Sequence, residues 1–148
     1  MKKILLINLL LGLFLFSENV FSKESNYLEE GIKHFNNDDF EKSKFFFEKA
    51  LVFNPKSETS YLYLAKIFNK RENSEEEELN LNNVLLLNPQ NDEAIYMLTL
   101  IKIDKSDYNE AEALINKFNL VCKSFCSKKK EINLKFEKLN PENAKNNN

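Results

Sequence analysis

Ala50-Leu51-Val52-Phe53-Asn54-Pro55 and Val84-Leu85-Leu86-Leu87-Asn88-Pro89 are two apolar runs, each closed by Asn-Pro, and they lie 34 residues apart. The same offset relates Tyr27, Tyr61 and Ile95; the small residues Gly31, Ala65 and Thr99; and the large apolar residues Phe47, Leu81 and Ile115. A fixed period of this length means a stack of like units. Within a unit, apolar residues recur at three- and four-residue steps, as in Leu28, Ile32 and Phe35 or Leu62, Ala65 and Phe68, the spacing of helices that each bury one face. Proline lacks an N–H and biases its predecessor away from helical angles, so each Asn-Pro ends a helix. Gly31, Ser43, Ala50, Ala65, Thr99 and Ala111 fall where helix axes would approach most closely, with aromatics filling the space beside them. One helix pair cannot bury its faces alone, and three stacked pairs are the minimum stable arrangement.

The unit resembles the tetratricopeptide repeat, a 34-residue antiparallel helix pair. The first unit, about 24–57, carries Tyr27, Gly31, Phe40, Ser43, Phe47, Ala50 and Pro55 at the family's places and departs at Glu30 and His34. The second, about 58–91, has Tyr61, Leu64, Ala65, Phe68, Leu81, Val84 and Pro89. The third, about 92–124, has Ile95, Leu98 and Thr99, then Asp107-Tyr108-Asn109-Glu110-Ala111, with Lys123 in place of the proline. The resemblance implies an all-α fold: a right-handed α-solenoid of three helix-turn-helix repeats. A C-terminal capping helix is expected over about 126–139, where Ile132, Phe136 and Leu139 share a face. Glu77 stands where the family has alanine, and Ser74-x-x-Glu77 reads as a capping box opening a helix with acidic residues in its first turn.

The ends read differently. Met1-Lys2-Lys3 followed by the apolar run Ile4 to Phe16 has the form of a signal peptide over 1–22, cut after Ser22, because the run is too short to span a bilayer. That places the remainder, a domain over 23–140, in the periplasm or outside the cell, with no membrane span after cleavage. Residues 141–148 are a polar tail expected to be disordered. From 121 onward there are seven Lys and three Glu, whereas 23–120 holds 12 basic and 19 acidic residues, so the C-terminal end is the basic one.

Composition excludes much chemistry. With 21 Lys+Arg against 23 Asp+Glu there is no electrostatic footprint for nucleic acid, and two glycines cannot build a phosphate loop. One His and two Cys do not make a closed zinc site, no nucleophile or metalloprotease motif is present, and His34 reads as a satisfied or half-buried histidine rather than a ligand. The sequence therefore calls for no catalytic site, metal or cofactor, and argues against an enzyme. Cys122 and Cys126 are expected to form a disulfide in an oxidising compartment, provided that 123–125 is a turn; a thiol-redox or copper-carrier role is the alternative.

The resemblance also implies a concave face lined by the first helix of each pair and used to bind a protein or peptide. By position it would comprise Leu28, Ile32, Phe35, Leu62 and Lys66, then Asn69, Lys70, Tyr96, Leu100 and Ile103. So apolar a row suits an amphipathic or extended segment of a partner, expected to be a cell-envelope protein; the other readings are that the chain's own last helix fills the groove or that a second copy fills it in a homodimer.

Overall fold

A computed structural model describes residues 23–139, in which all regular structure is helical. The expected signal peptide and the tail over 141–148 lie outside the described residues. The helices are α1 (residues 23–36), α2 (Phe40–Phe53), α3 (Glu58–Lys70), α4 (Ser74–Leu87), α5 (Asp92–Asp104), α6 (Tyr108–Val121) and, after a 3₁₀ turn at Cys126–Lys128, α7 (Lys129–Leu139). The chain divides into two compact units, Met1–Ile67 and Phe68–Asn148, so α3 begins in one and ends in the other.

The period is most regular at the hinges. Asp38, Glu72 and Ser106, 34 residues apart, all take the left-handed conformation, with φ of 57°, 56° and 60°. Each donates its N–H to the carbonyl three residues back, on Phe35, Asn69 and Ile103, and the following residue donates to the carbonyl five back, on His34, Phe68 and Lys102. This pair of bonds ends the first helix of each repeat and satisfies its orphan carbonyls. That same residue opens the second helix: the side chains of Asp39, Asn73 and Asp107 accept the N–H of Lys42, Glu76 and Glu110. Ser74 is thus the first helical residue and Asn73 is the cap, which corrects the expected Ser74–Glu77 box. Asn can fill the cap from one position earlier, and that frees Glu77 to point inward.

In the unit Met1–Ile67, α1 and α2 approach closely at Gly31. A Cβ there would lie 2.8 Å from Cε1 of Phe47, and Ser43 Oγ donates to the Gly31 carbonyl at 2.9 Å. Phe47, fully buried, stacks on Tyr63 of α3 at 4.9 Å between ring centroids. One residue earlier, about 100° round the helix, Phe46 turns to His34 and Tyr27. His34 is half-buried against Phe46 and its Nδ1 lies 3.2 Å from Asp39 Oδ2, a partnered histidine as the sequence suggested.

The core of the unit Phe68–Asn148 is α5, which packs against α4, α6 and α7. Flanked on three sides, it buries Ala94, Ile95, Tyr96, Leu98, Thr99, Ile101 and Ile103. Lys102 joins the layers, with Nζ 2.7 Å from Glu78 of α4 and 2.7 Å from Glu110 of α6; these two carboxylates push its ammonium up to about 12. Glu77, 4% exposed, receives Asn69 Nδ2 on both carboxylate oxygens at 3.1 and 3.2 Å. Burial nevertheless raises its pKa, against the lowering by Asn69.

Candidate partner-binding surface

The expected lining residues fall into two groups. In the unit Met1–Ile67, Leu28, Ile32 and Phe35 of α1 and Leu62 and Lys66 of α3 are all half-buried. Leu28, Ile32 and Phe35 share one side of α1, at steps of four and three residues. The two helices are neighbours, since Phe35 sets its ring edge against Tyr63 at 5.1 Å, and Lys66 Nζ sits 4.9 Å over the Tyr63 ring. This is an accessible apolar face with one cation beside it.

The remaining residues behave differently. Asn69 and Lys70 are exposed at the end of α3, and Leu100 is half-buried on α5. Tyr96 and Ile103 are 9% and 1% exposed and so form no open wall. The chain's own C-terminal segment accounts for Tyr96: its hydroxyl donates to Glu131 Oε1 at 2.5 Å, Phe125 lies 6.0 Å from its ring, and Lys128 Nζ sits 5.5 Å over it. Burial, then the Glu131 carboxylate, raise the Tyr96 pKa, while Lys128 and next the Tyr96 hydroxyl hold Glu131 below the usual carboxylate range.

The segment that covers Tyr96 begins with a covalent loop. Cys122 and Cys126 are bonded, and 123–125 is a bend between α6 and the 3₁₀ turn. The amides of Lys123, Ser124 and Phe125 converge on one oxygen of Asp92, at 2.6, 2.6 and 2.9 Å. Partial burial pushes Asp92 up, but these amides together outweigh it and hold the carboxyl below its ordinary range. Among the described residues no group of three His, Cys, Asp or Glu converges as a metal site, and no helix is long and apolar enough to cross a membrane.

Two features escaped the reading of the sequence. Asp92 looked like an ordinary first-turn acid, and its partners lie 31 to 33 residues away. The other is a register of outward apolar side chains on second helices: Val52, Leu86 and Leu120 are 72%, 80% and 87% exposed. Their own 34-residue spacing was the available signal.

With helix pairs, repeated hinges and an accessible first-helix face, the chain has the fold of the tetratricopeptide repeat, an α-solenoid of consecutive helix pairs. It is similar to a chain of the CopN-Scc3 complex, with 17% identity, 74% of this chain and 66% of that one covered, and a TM-score of 0.64. It is similar to PilF of Pseudomonas aeruginosa at 14% identity over 84% of this chain and 55% of that one, with a TM-score of 0.64. It is also similar to the C-terminal TPR-containing domain of a Plasmodium falciparum FK506-binding protein, at 17% identity, 88% and 94% coverage and a TM-score of 0.69. At these identities the likeness is one of fold, and the chain spans less than two thirds of the length of the first two. No protein-family model matches the chain, and no curated protein matches it by sequence.

Proposed function

We propose that the protein is a non-catalytic interaction module of the bacterial envelope that binds an apolar or amphipathic segment of a partner protein. The observation that carries this reading is the face of α1 and α3 in the unit Met1–Ile67, where Leu28, Ile32, Phe35 and Leu62 are only half-buried. Apolar side chains gathered on a helix face are the usual anchors for a partner's helix or extended strand. The periplasmic or secreted location is supported by the leader-like pattern of residues 1–22 and by a disulfide, which persists in oxidising compartments.

The test is affinity capture and crosslinking from the native envelope, with the protein and its Ile32→Glu/Leu62→Glu variant compared after circular dichroism has shown both folded. A photoreactive residue at position 35 should crosslink to a single partner in the parent and lose it in the variant. Equal crosslinking in both would reject this face. Sedimentation of the parent as a monomer at high concentration would reject the homodimer alternative.

A further inference from the structure

We propose that the Cys122–Cys126 disulfide is a thiol-exchange latch. Its reduction by a dithiol donor frees the segment 122–139 from the third repeat and uncovers Tyr96. This rests on the geometry of the loop and not on the reading of the fold as a binding module.

The first two repeats end alike. Asn54 and Asn88 close their helices onto Ala50 and Val84, and their side-chain oxygens accept the amides of Lys56 and Gln90, which sets the turn into the next helix. At the same register the third repeat has Cys122, whose N–H closes α6 onto Phe118 but whose side chain offers no oxygen. The turn is held instead by the bond to Cys126 and by Asp92, which gathers the three amides between the two cysteines. The loop thus does covalently what the other hinges do with an asparagine.

Beyond the loop the chain is lightly anchored. Ile132 is the one buried side chain of α7. Phe136 is half-buried and adds one edge-on ring contact to Tyr108 of α6 at 6.2 Å, while the ion pair of Lys135 with Asp104 is exposed, and pairs of that kind contribute little. The grip on Tyr96 comes from Phe125 inside the loop and from Lys128 and Glu131 just beyond it, so it depends on where the loop sets the chain. Cys126 is exposed and Cys122 half-buried, so a thiolate has access.

Exchange would run in two steps. A thiolate of the donor attacks Cys126 Sγ; the S–S bond breaks, and Cys122 leaves as a thiolate that takes a proton from water. The donor's second thiol, after losing its proton, attacks the donor sulfur of the mixed disulfide and releases Cys126, which is protonated in turn. The donor gives up two electrons and two protons and becomes a disulfide; the protein gains two thiols.

The experiment uses the intact protein with dithiothreitol as the dithiol, hydrogen exchange of the amides in α4 and α7, and mass spectrometry to count free thiols. Chain entropy for a five-residue loop predicts that opening of α7 rises about thirtyfold on reduction, with α4 unchanged. The Cys122→Ser/Cys126→Ser variant should show the same fast exchange without reductant. Binding of an apolar fluorescent dye should rise with it, and a Tyr96→Ser change in that variant should abolish the rise. Unchanged α7 exchange with both thiols free would overturn the latch, as would a disulfide that dithiothreitol reduces only after global unfolding. Faster exchange without added dye binding would overturn the uncovering of Tyr96 alone, and neither result touches the capture experiment on α1 and α3.

Discussion

Replacing Ile132 by alanine should detach α7 while leaving the rest of its unit folded. Ile132 is fully buried, and truncating a buried isoleucine typically costs about 2 to 5 kcal/mol through lost transfer energy and the cavity left behind. The other attachments of α7 are smaller. Phe136, half-buried, meets the Tyr108 ring of α6 edge-on at 6.2 Å, an aromatic pair worth about 0.5 to 1.5 kcal/mol. Lys129 Nζ reaches the Asn119 carbonyl at 3.1 Å and Lys135 reaches Asp104, both exposed and each worth about 1 kcal/mol at most. The Tyr96 hydroxyl on the Glu131 carboxylate adds no more than about 1.5 to 3 kcal/mol, the range for a charged acceptor. A loss of about 3 kcal/mol at Ile132 therefore removes a major share of the attachment and should raise local opening on the order of a hundredfold. Hydrogen exchange read by mass spectrometry would show α7 accelerated by that factor and α4 hardly at all, with the disulfide intact. If α4, α5 and α7 accelerated together, α7 would belong to the cooperative core and could not be released alone. If α7 did not respond, Ile132 would not be its anchor.

Four further substitutions test the packing and the turns within the two units. Gly31→Ala sets a methyl group against the Phe47 ring, which is itself stacked on Tyr63; overpacking of about 1 to 3 kcal/mol should outweigh the roughly 1 kcal/mol gain in helix propensity and lower the urea midpoint at constant m. Glu72→Gly should relieve a left-handed backbone and raise stability by about 0.5 to 1 kcal/mol in urea titration, more than Asp38→Gly, since aspartate tolerates that conformation better. Glu77 has a folded pKa raised by burial above the ordinary 4.5, so the folded chain keeps this proton to higher pH than the unfolded chain. Its contribution to stability is complete below about pH 4.5 and is lost as pH rises through the folded value. Glu77→Gln keeps an oxygen for Asn69 without the charge, and its advantage in urea midpoint over the parent should widen from pH 5 to pH 8; a constant difference would show that the carboxylate titrates normally.

Much of the fold was legible because the period reaches into residues that do local work. The helix ends at Asn54 and Asn88 and the turn at Asp107 were read directly, since local hydrogen bonding is the part of structure that a sequence shows best; the cap at Asn73 was not, because Ser74 beside it mimics one. The left-handed positions were not legible, since Asp38, Glu72 and Ser106 are not glycine and differ from one another. For the candidate surface, the resemblance that placed Leu28, Ile32, Phe35 and Leu62 in the lining, like the spacing that sets them on one helix side, says which side is apolar but not what covers it. Tyr96 shows the difference: its cover comes from Glu131, 35 residues away, through a bend whose geometry depends on Asp92.

On the function proposed above, the two units would offer a partner different opportunities. In Met1–Ile67 the first-helix face is bounded by rings that hold one another, Phe35 and Phe47 both on Tyr63, so the surface stands ready without rearrangement. Binding to a preformed surface loses little to ordering and should be fast and little affected by redox state. In Phe68–Asn148 the same helix position is occupied by the chain itself, and a partner must first displace Phe125, Lys128 and Glu131 from Tyr96. Its apparent affinity there is scaled by the fraction of molecules in which α7 is open. A partner of α1 and α3 alone, by contrast, would not sense the disulfide at all.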